Sequence, residues 1–360
     1  MKQKLLFLTC FLTLLLNSAI SDNVFSGEKK SGPDDAIPLK TSWKYNLSND
    51  KTITKLVYTE NFILFATEEG IMKGLDIKTG KIKWEFKAEG AIYEQPAVAN
   101  GVAFVCSYSG FVYAINIATG KEKWRYEVAP DLRCTPVIFE KQVIIIYKKS
   151  MISLDIETGL ELQKQNCLNI NYLDYNSRDS IIYFTDKLDI EAINIGNCAT
   201  AWKYSQKLFG ISNIEIAFNY AYYCNLEGIF AINLNSGKLK WKFGFDPKTP
   251  PTGYGKILVN DSFLYVPIES TLYVFNAVTG KIKWGYKNKS KKTINTLAVD
   301  NNRTYFTDTG NIIYVMNNLN TKKIENKYIT ETIPNSQLCV RNNSAYYLTG
   351  DGFICAVKFP

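Results

Sequence analysis

The sequence predicts an all-β fold: an eight-bladed β-propeller of four-stranded antiparallel blades, with the N-terminal strand closing the last blade. Three observations predict it. A phrase of the form "AINIATGKEKWRY" (114–126) recurs along the chain, and a repeat of ~40 residues marks a propeller or a solenoid. Each repeat divides into four short apolar or alternating pieces that end in Gly, Asn or Ser, the signature of strands and turns. The chain also begins on a lone Trp strand and ends on three strands that lack one.

The strands follow in order from the Trp register. Trp43, Trp84, Trp124, Trp202, Trp241 and Trp284 each precede an aromatic by two residues: Tyr45, Phe86, Tyr126, Tyr204, Phe243 and Tyr286. That spacing puts both rings on one face of a strand. Two further copies keep the spacing but replace the Trp, with Gln163 in "SLDIETGLELQKQ" (153–165) and Glu325 in "VMNNLNTKKIENK" (315–327). Eight positions give eight blades. Within one period, "QPAVAN", "GVAFVCSYSG", "FVYAINIATG" and "KEKWRYE" supply the four strands from innermost to outermost. No segment sustains a 3.6-residue period, which argues against helical repeats. "TSWKYNL" (41–47) is an outermost strand without inner partners, and "QLCVRN", "AYYLTG" and "GFICAVKF" lack an outer one. Joining them ties the two ends and leaves no open seam.

The recurring phrase is structural. Gly80, Gly120, Gly159, Gly237 and Gly280 sit where a tight strand connection asks for positive φ. Asp76, Asn116, Asp155, Asn194, Asn233 and Asn276 are short polar residues able to bond the turn backbone. The Trp is predicted to pack across to the next blade, burying on the order of 200 Å². At ~25 cal/mol/Å² this contributes a few kcal/mol per junction.

Ahead of the ring lies a targeting segment. Lys2 and Lys4 precede the apolar run "LLFLTCFLTLLL" (5–16), followed by "NSAIS" with Ala19 and Ser21 as a small-residue cleavage site. The run is too short to span a bilayer, which takes ~20 apolar residues. The predicted organisation is a signal peptide over 1–21, a flexible tether over 22–40 and the propeller over 41–360. The mature protein is expected to be exported and soluble, and monomeric. Lipidation would need a Cys at the cleavage point, and Cys10 lies too early.

The net charge is +8, with lysines spread through the repeat turns as a solvated face. Nothing resembles an arginine-rich stripe for nucleic acid. Seven cysteines remain after the signal. Cys106, Cys224, Cys339 and Cys355 sit in apolar strand patterns and are expected as small buried hydrophobes. The alternative is one disulfide, with Cys167–Cys198 as its pair. The chain contains no histidine, which excludes Ser-His-Asp and Cys-His catalysis and His-based metal sites. No catalytic residue, cofactor or metal site is predicted.

The pattern carried by Ala114, Asn116, Thr119, Gly120 and Trp124, and by its counterparts over 41–360, resembles the pyrroloquinoline-quinone-like β-propeller repeat. Within that superfamily the chain is most similar to the BamB family of the outer-membrane β-barrel assembly machinery. The resemblance implies a non-catalytic exported scaffold for protein–protein interaction, its partner the barrel-inserting subunit, associated with the outer membrane peripherally or through that partner. Family members are typically lipoproteins, and the expected cleavage point here carries no Cys. A quinoprotein dehydrogenase would need an adjacent Cys pair and a calcium site, and neither is visible. An exported sensor or adhesion propeller that binds a peptide or other ligand is the alternative.

Partner contacts are expected where the repeat is broken. "KYSQKLFGISNIE" (203–215) carries Leu208, Phe209 and Ile211 in a connection between blades. "FDPKTPPTGYGK" (245–256) carries Pro250, Pro251 and Tyr254 within the longest step. Apolar residues on an exposed loop held by a rigid scaffold make partner anchors, unless they tuck onto their own blade. A partner strand added to a free outer edge is a second mode.

Overall fold

The computed structural model describes residues 25–26, 36–47, 50, 54–167, 174–178, 180–185, 189–205, 212–300, 303–317 and 324–360. The expected signal peptide, most of the tether, and Leu208, Phe209 and Ile211 lie outside the described residues.

Short strands built from β-branched and aromatic residues form eight antiparallel sheets in a ring. Blade 1 runs through Val57–Tyr58, Phe62–Ala66, Ile71–Asp76 and Ile82–Lys87, from innermost to outermost strand. Blades 2 to 7 repeat this order, with outermost strands at Glu122–Glu127, Glu161–Asn166, Thr200–Ser205, Leu239–Gly244, Ile282–Lys287 and Ile324–Ile329. Blade 8 takes Pro334–Arg341, Ser344–Thr349 and Phe353–Lys358 from the C-terminus, and Thr41–Asn46 pairs antiparallel with the last of these. The ring therefore closes as the offset of its ends predicts.

Burial follows the period of the strands. In Phe111–Asn116 the central residues Val112 to Ile115 are all buried, as a strand covered on both faces requires. In Glu122–Glu127 exposure alternates, with Trp124 buried and both neighbours exposed. Eight apolar clusters result, and each straddles one junction. Leu64 and Met72 of blade 1 pack with Val105, Tyr113 and Ile115 of blade 2. Tyr346 and Ile354 of blade 8 pack with Ile63 and Phe65 of blade 1.

The Trp side chains cross these junctions. Trp84 Nε1 donates to the Ile117 carbonyl of the next blade at 2.7 Å. Trp43 reaches Ile77, Trp124 reaches Ile156 and Trp241 reaches Ala277 in the same way, as does Trp202 with Leu234. Each acceptor lies in the turn between the third and outermost strands. There the Asx side chain closes the turn on itself: Asp76 Oδ1 accepts from Thr79 N and Asp155 Oδ1 from Thr158 N, at 2.9 and 2.8 Å. Gly120 adopts φ +70° at the end of such a turn.

Two pieces of the N-terminal stretch add to the ring. Phe25–Ser26 pairs in parallel with Gly285 and Tyr286, and Ile37–Pro38 with Tyr328 and Ile329. They extend blades 6 and 7 to five strands. Leu39 N then donates to the Ile329 carbonyl at 2.9 Å, and Leu39 is buried.

Cys167 and Cys198 are joined as a disulfide between blades 3 and 4. Cys106, Cys134, Cys224 and Cys355 are buried thiols and Cys339 is half-buried.

Candidate functional site

Two features gather at one end of the ring. The connections from the outermost strand of one blade to the innermost strand of the next lie there. So do the turns between the second and third strands. Backbone bonds lace the two together: Tyr108 N, in the blade 2 turn, donates to Ala91 O at 2.7 Å, and Asp131 N donates to Tyr108 O at 2.8 Å. This connection rim carries the proline loop, and it carries Ser205 and Ser212, the described residues on either side of 206–211. The opposite rim carries the Thr-Gly turns and the Trp contacts.

The proline loop is held firmly. Tyr254 forms an antiparallel bridge with Ile268, and Gly255 N donates to Pro267 O at 2.9 Å. Thr252 donates to Glu269 Oε1 from its amide at 2.8 Å and from its hydroxyl at 2.9 Å. Those bonds hold the Glu269 carboxyl below the usual carboxylate range. Tyr254 is half-buried and packs into the cluster between blades 5 and 6 with Ile257 and Ile268. Burial, and then the nearby Cys224, push its hydroxyl up to about 12. Its ring is therefore committed to the junction. Pro250 is exposed and Pro251 half-buried, so the outward face of this loop is proline backbone and Thr252.

For the other loop, the described residues are its flanks. Ser212 N donates to Cys224 O at 2.8 Å, and Cys224 N donates to Ser212 Oγ at 2.9 Å. Ser205 ends the blade 4 outermost strand on the same rim. Leu208, Phe209 and Ile211 belong to the connection between these two points.

A third feature on this rim escapes sequence reasoning. The Arg133 guanidinium lies 4.2 Å from the Tyr93 ring centroid and 4.9 Å from that of Tyr108. The two rings meet edge to face, 5.6 Å apart. Tyr108 is 36% exposed and Arg133 is exposed. Beside them, Lys148 Nζ sits 4.8 Å from the Tyr147 ring, and Tyr147 donates its hydroxyl to the Pro130 carbonyl. Glu94 is exposed on the same rim, with Lys55, Thr135 and Arg133 nearby. Rigid aromatics stacked on a cation are the residue types that dominate protein interfaces. Tyr108 stands in "SYSG", where the matching turn of blade 1 reads "TEEG". An aromatic in place of a polar turn residue is the signal a sequence could offer.

Among the described residues, no group of three or more Cys, Asp or Glu is placed to hold a metal ion. No helix is long and apolar enough to cross a membrane there.

Comparison with known proteins gives a consistent result. A curated relative, outer membrane protein assembly factor BamB of Yersinia pestis, is 22% identical over 258 residues. That match covers 66% of this chain and 64% of the relative, so it spans under two thirds of the relative's length. Among solved structures, BamB from Moraxella catarrhalis superposes with a TM-score of 0.65 at 17% identity, over 89% of this chain and 100% of that one. The computationally designed Ika8 protein gives 0.68 at 15% identity, over 90% and 99%. Saccharomyces cerevisiae Sqt1 gives 0.68 at 10%, over 89% and 100%. These likenesses establish the propeller. The family described as outer membrane protein assembly factor BamB matches residues 40–207 and 227–357, and so takes in strands of all eight blades. The chain belongs to that family.

Proposed function

We propose that the chain is a non-catalytic exported scaffold that takes part in assembling outer-membrane β-barrel proteins by binding the barrel-inserting subunit. The observation that carries this is the family match, which runs from the closing strand to the last strand of the ring. The absence of histidine from the sequence agrees with a non-catalytic role. In this proposal 1–21 is a cleaved signal, the N-terminal stretch 22–40 leads to the ring, and the mature protein works in the periplasm as a monomer.

The connection rim is the proposed contact face. Leu208, Phe209 and Ile211 supply apolar anchors, Pro250 and Pro251 a second contact, and Tyr93, Tyr108 and Arg133 a stacked aromatic patch. Anchors on neighbouring connections of a rigid ring need little ordering when a partner docks, which conserves affinity.

The test is capture of partners by the tagged protein from solubilised envelope membranes of its own host, read by mass spectrometry. The barrel-inserting subunit should be recovered. Leu208→Asp should abolish recovery while leaving the melting temperature within a few degrees of wild type. Arg133→Ala should weaken it about tenfold, the effect of losing ~1.4 kcal/mol at an interface anchor. Capture without that subunit would overturn the proposal and favour a ligand-binding propeller.

A further inference from the structure

Cys106 ends the second strand of blade 2, and Cys134 lies in the connection that leads to blade 3. Both are buried, and their Sγ atoms stand 3.1 Å apart. That is inside the ordinary contact distance of two unbonded sulfurs. A closure of about 1 Å would bring them to the length of a disulfide. Both belong to the apolar cluster that spans blades 2 and 3, with Trp124, Leu132 and Ile145.

We propose that Cys106 and Cys134 form a second disulfide, a buried staple between blade 2 and the start of blade 3. With Cys167–Cys198 between blades 3 and 4, two successive junctions would then be covalently fixed. The proposal rests on the exported location only for its oxidant in the host, since disulfides persist in oxidising compartments.

The chemistry is thiol–disulfide exchange with a disulfide oxidant, such as oxidised glutathione or an oxidoreductase disulfide. One protein thiolate attacks the oxidant, forming a mixed disulfide and releasing one oxidant thiolate. The second protein thiolate attacks the sulfur of the first, forming the Cys106–Cys134 bond and releasing the other oxidant thiolate. Two protein thiols are oxidised, one disulfide is reduced, and the two thiol protons pass to the released thiolates. Burial raises the Cys106 thiol in the folded ring, with Cys134 adding to the shift. A buried thiol is a poor nucleophile, so the exchange belongs to folding, before the junction between blades 2 and 3 closes.

The full chain, reduced and unfolded, is refolded in a mixture of reduced and oxidised glutathione. It is then alkylated in denaturant, digested with trypsin and mapped by mass spectrometry. Cleavage after Arg133 releases Cys134 in "CTPVIFEK" (134–141). The expected result is that peptide linked to the one bearing Cys106, with both cysteines unlabelled until reductant is added. In a Cys167→Ser background, reductant should still lower the melting temperature by several degrees, and Cys134→Ser should remove that drop. Alkylated Cys106 and Cys134 in refolded protein would overturn the proposal. Because the buffer sets the oxidant, that failure is separate from any failure of the exported location, which the envelope capture tests.

Discussion

At the residue scale, the unit of this fold is a pair from neighbouring blades: the Trp of one and the turn glycine of the next. A methyl added at Gly120 would sit 2.7 Å from Trp84 Cβ, Cγ and Cδ2, and one at Gly80 would sit 2.3 Å from the Trp43 ring. Gly159, Gly237 and Gly280 face Trp124, Trp202 and Trp241 in the same way. Positive φ is thus half of the requirement. Cys198 makes the point, since it takes the fifth position of its turn at φ +55°. The residue at the Trp position of the preceding blade there is Gln163, so a side chain fits. Gly120→Ala should therefore cost more than the ~1–3 kcal/mol of a left-handed non-glycine residue. Trp84→Ala should cost about 3–5 kcal/mol. The two are in contact and should not add: with Trp84 already removed, Gly120→Ala should cost about 1–2 kcal/mol less. A double-mutant cycle by urea unfolding measures this, and additive costs would refute the pairing.

At the element scale, the junction between blades 3 and 4 shows what replaces the pair. Gln163 Nε2 donates to Gly196 O at 2.9 Å and Gln165 Nε2 to Ile195 O at 2.8 Å, and the disulfide from Cys167 to Cys198 spans the same gap. The turn that lost its glycine supplies one of the cysteines. Closing a loop with a sequence separation of 31 stabilises by roughly 3–4 kcal/mol on chain entropy. Cys167→Ser should lose about that much, and variant and wild type should melt together once both are held in reductant. Restoring the repeat with Gln163→Trp and Cys198→Gly should recover part of it; no recovery would mean that this junction is not built on the common plan. The blades were legible in the sequence because a period-two strand pattern and a Trp every ~40 residues are local signals. The Tyr93–Arg133–Tyr108 stack was not, since it joins three segments that meet when the connection rim assembles. Nor was the commitment of Tyr254 to the junction of blades 5 and 6, which depends on its bridge to Ile268.

At the scale of the whole molecule, a ring is as stable as its seam, and this seam carries charge. Lys73 of blade 1 pairs with Asp50 at 2.6 Å and with Glu85 at 3.0 Å, and donates to the Tyr45 hydroxyl at 3.3 Å. Tyr45 lies on the closing strand of blade 8 and donates to Asp50 Oδ2 at 2.7 Å. Lys73 and Asp50 are both buried. The cluster therefore ties blade 1 to the strand that closes the ring and to the chain just after it. Burial, and then the bond to Asp50, push the Tyr45 hydroxyl up to about 12. Burial works against the Lys73 charge, but bonds to Asp50, Glu85 and Tyr45 outweigh it and hold the ammonium above its ordinary range. Both groups keep a proton in the folded ring that the unfolded chain releases at pH ~10. Their contribution is fully present below that pH and is lost as the pH rises toward the folded values. Wild type should thus lose melting temperature between pH 10 and 12 more steeply than Lys73→Met, in which the lysine's share is gone and only the Tyr45–Asp50 bond remains. At pH 7 the same variant should be about 3 kcal/mol less stable, because the buried Asp50 carboxylate loses the Lys73 charge that balances it and keeps only neutral partners such as the Tyr45 hydroxyl. Thermal melts of both proteins across pH 7 to 12 decide the matter. Converging curves place the alkaline weak point at the seam, and parallel curves would mean that the ring opens elsewhere.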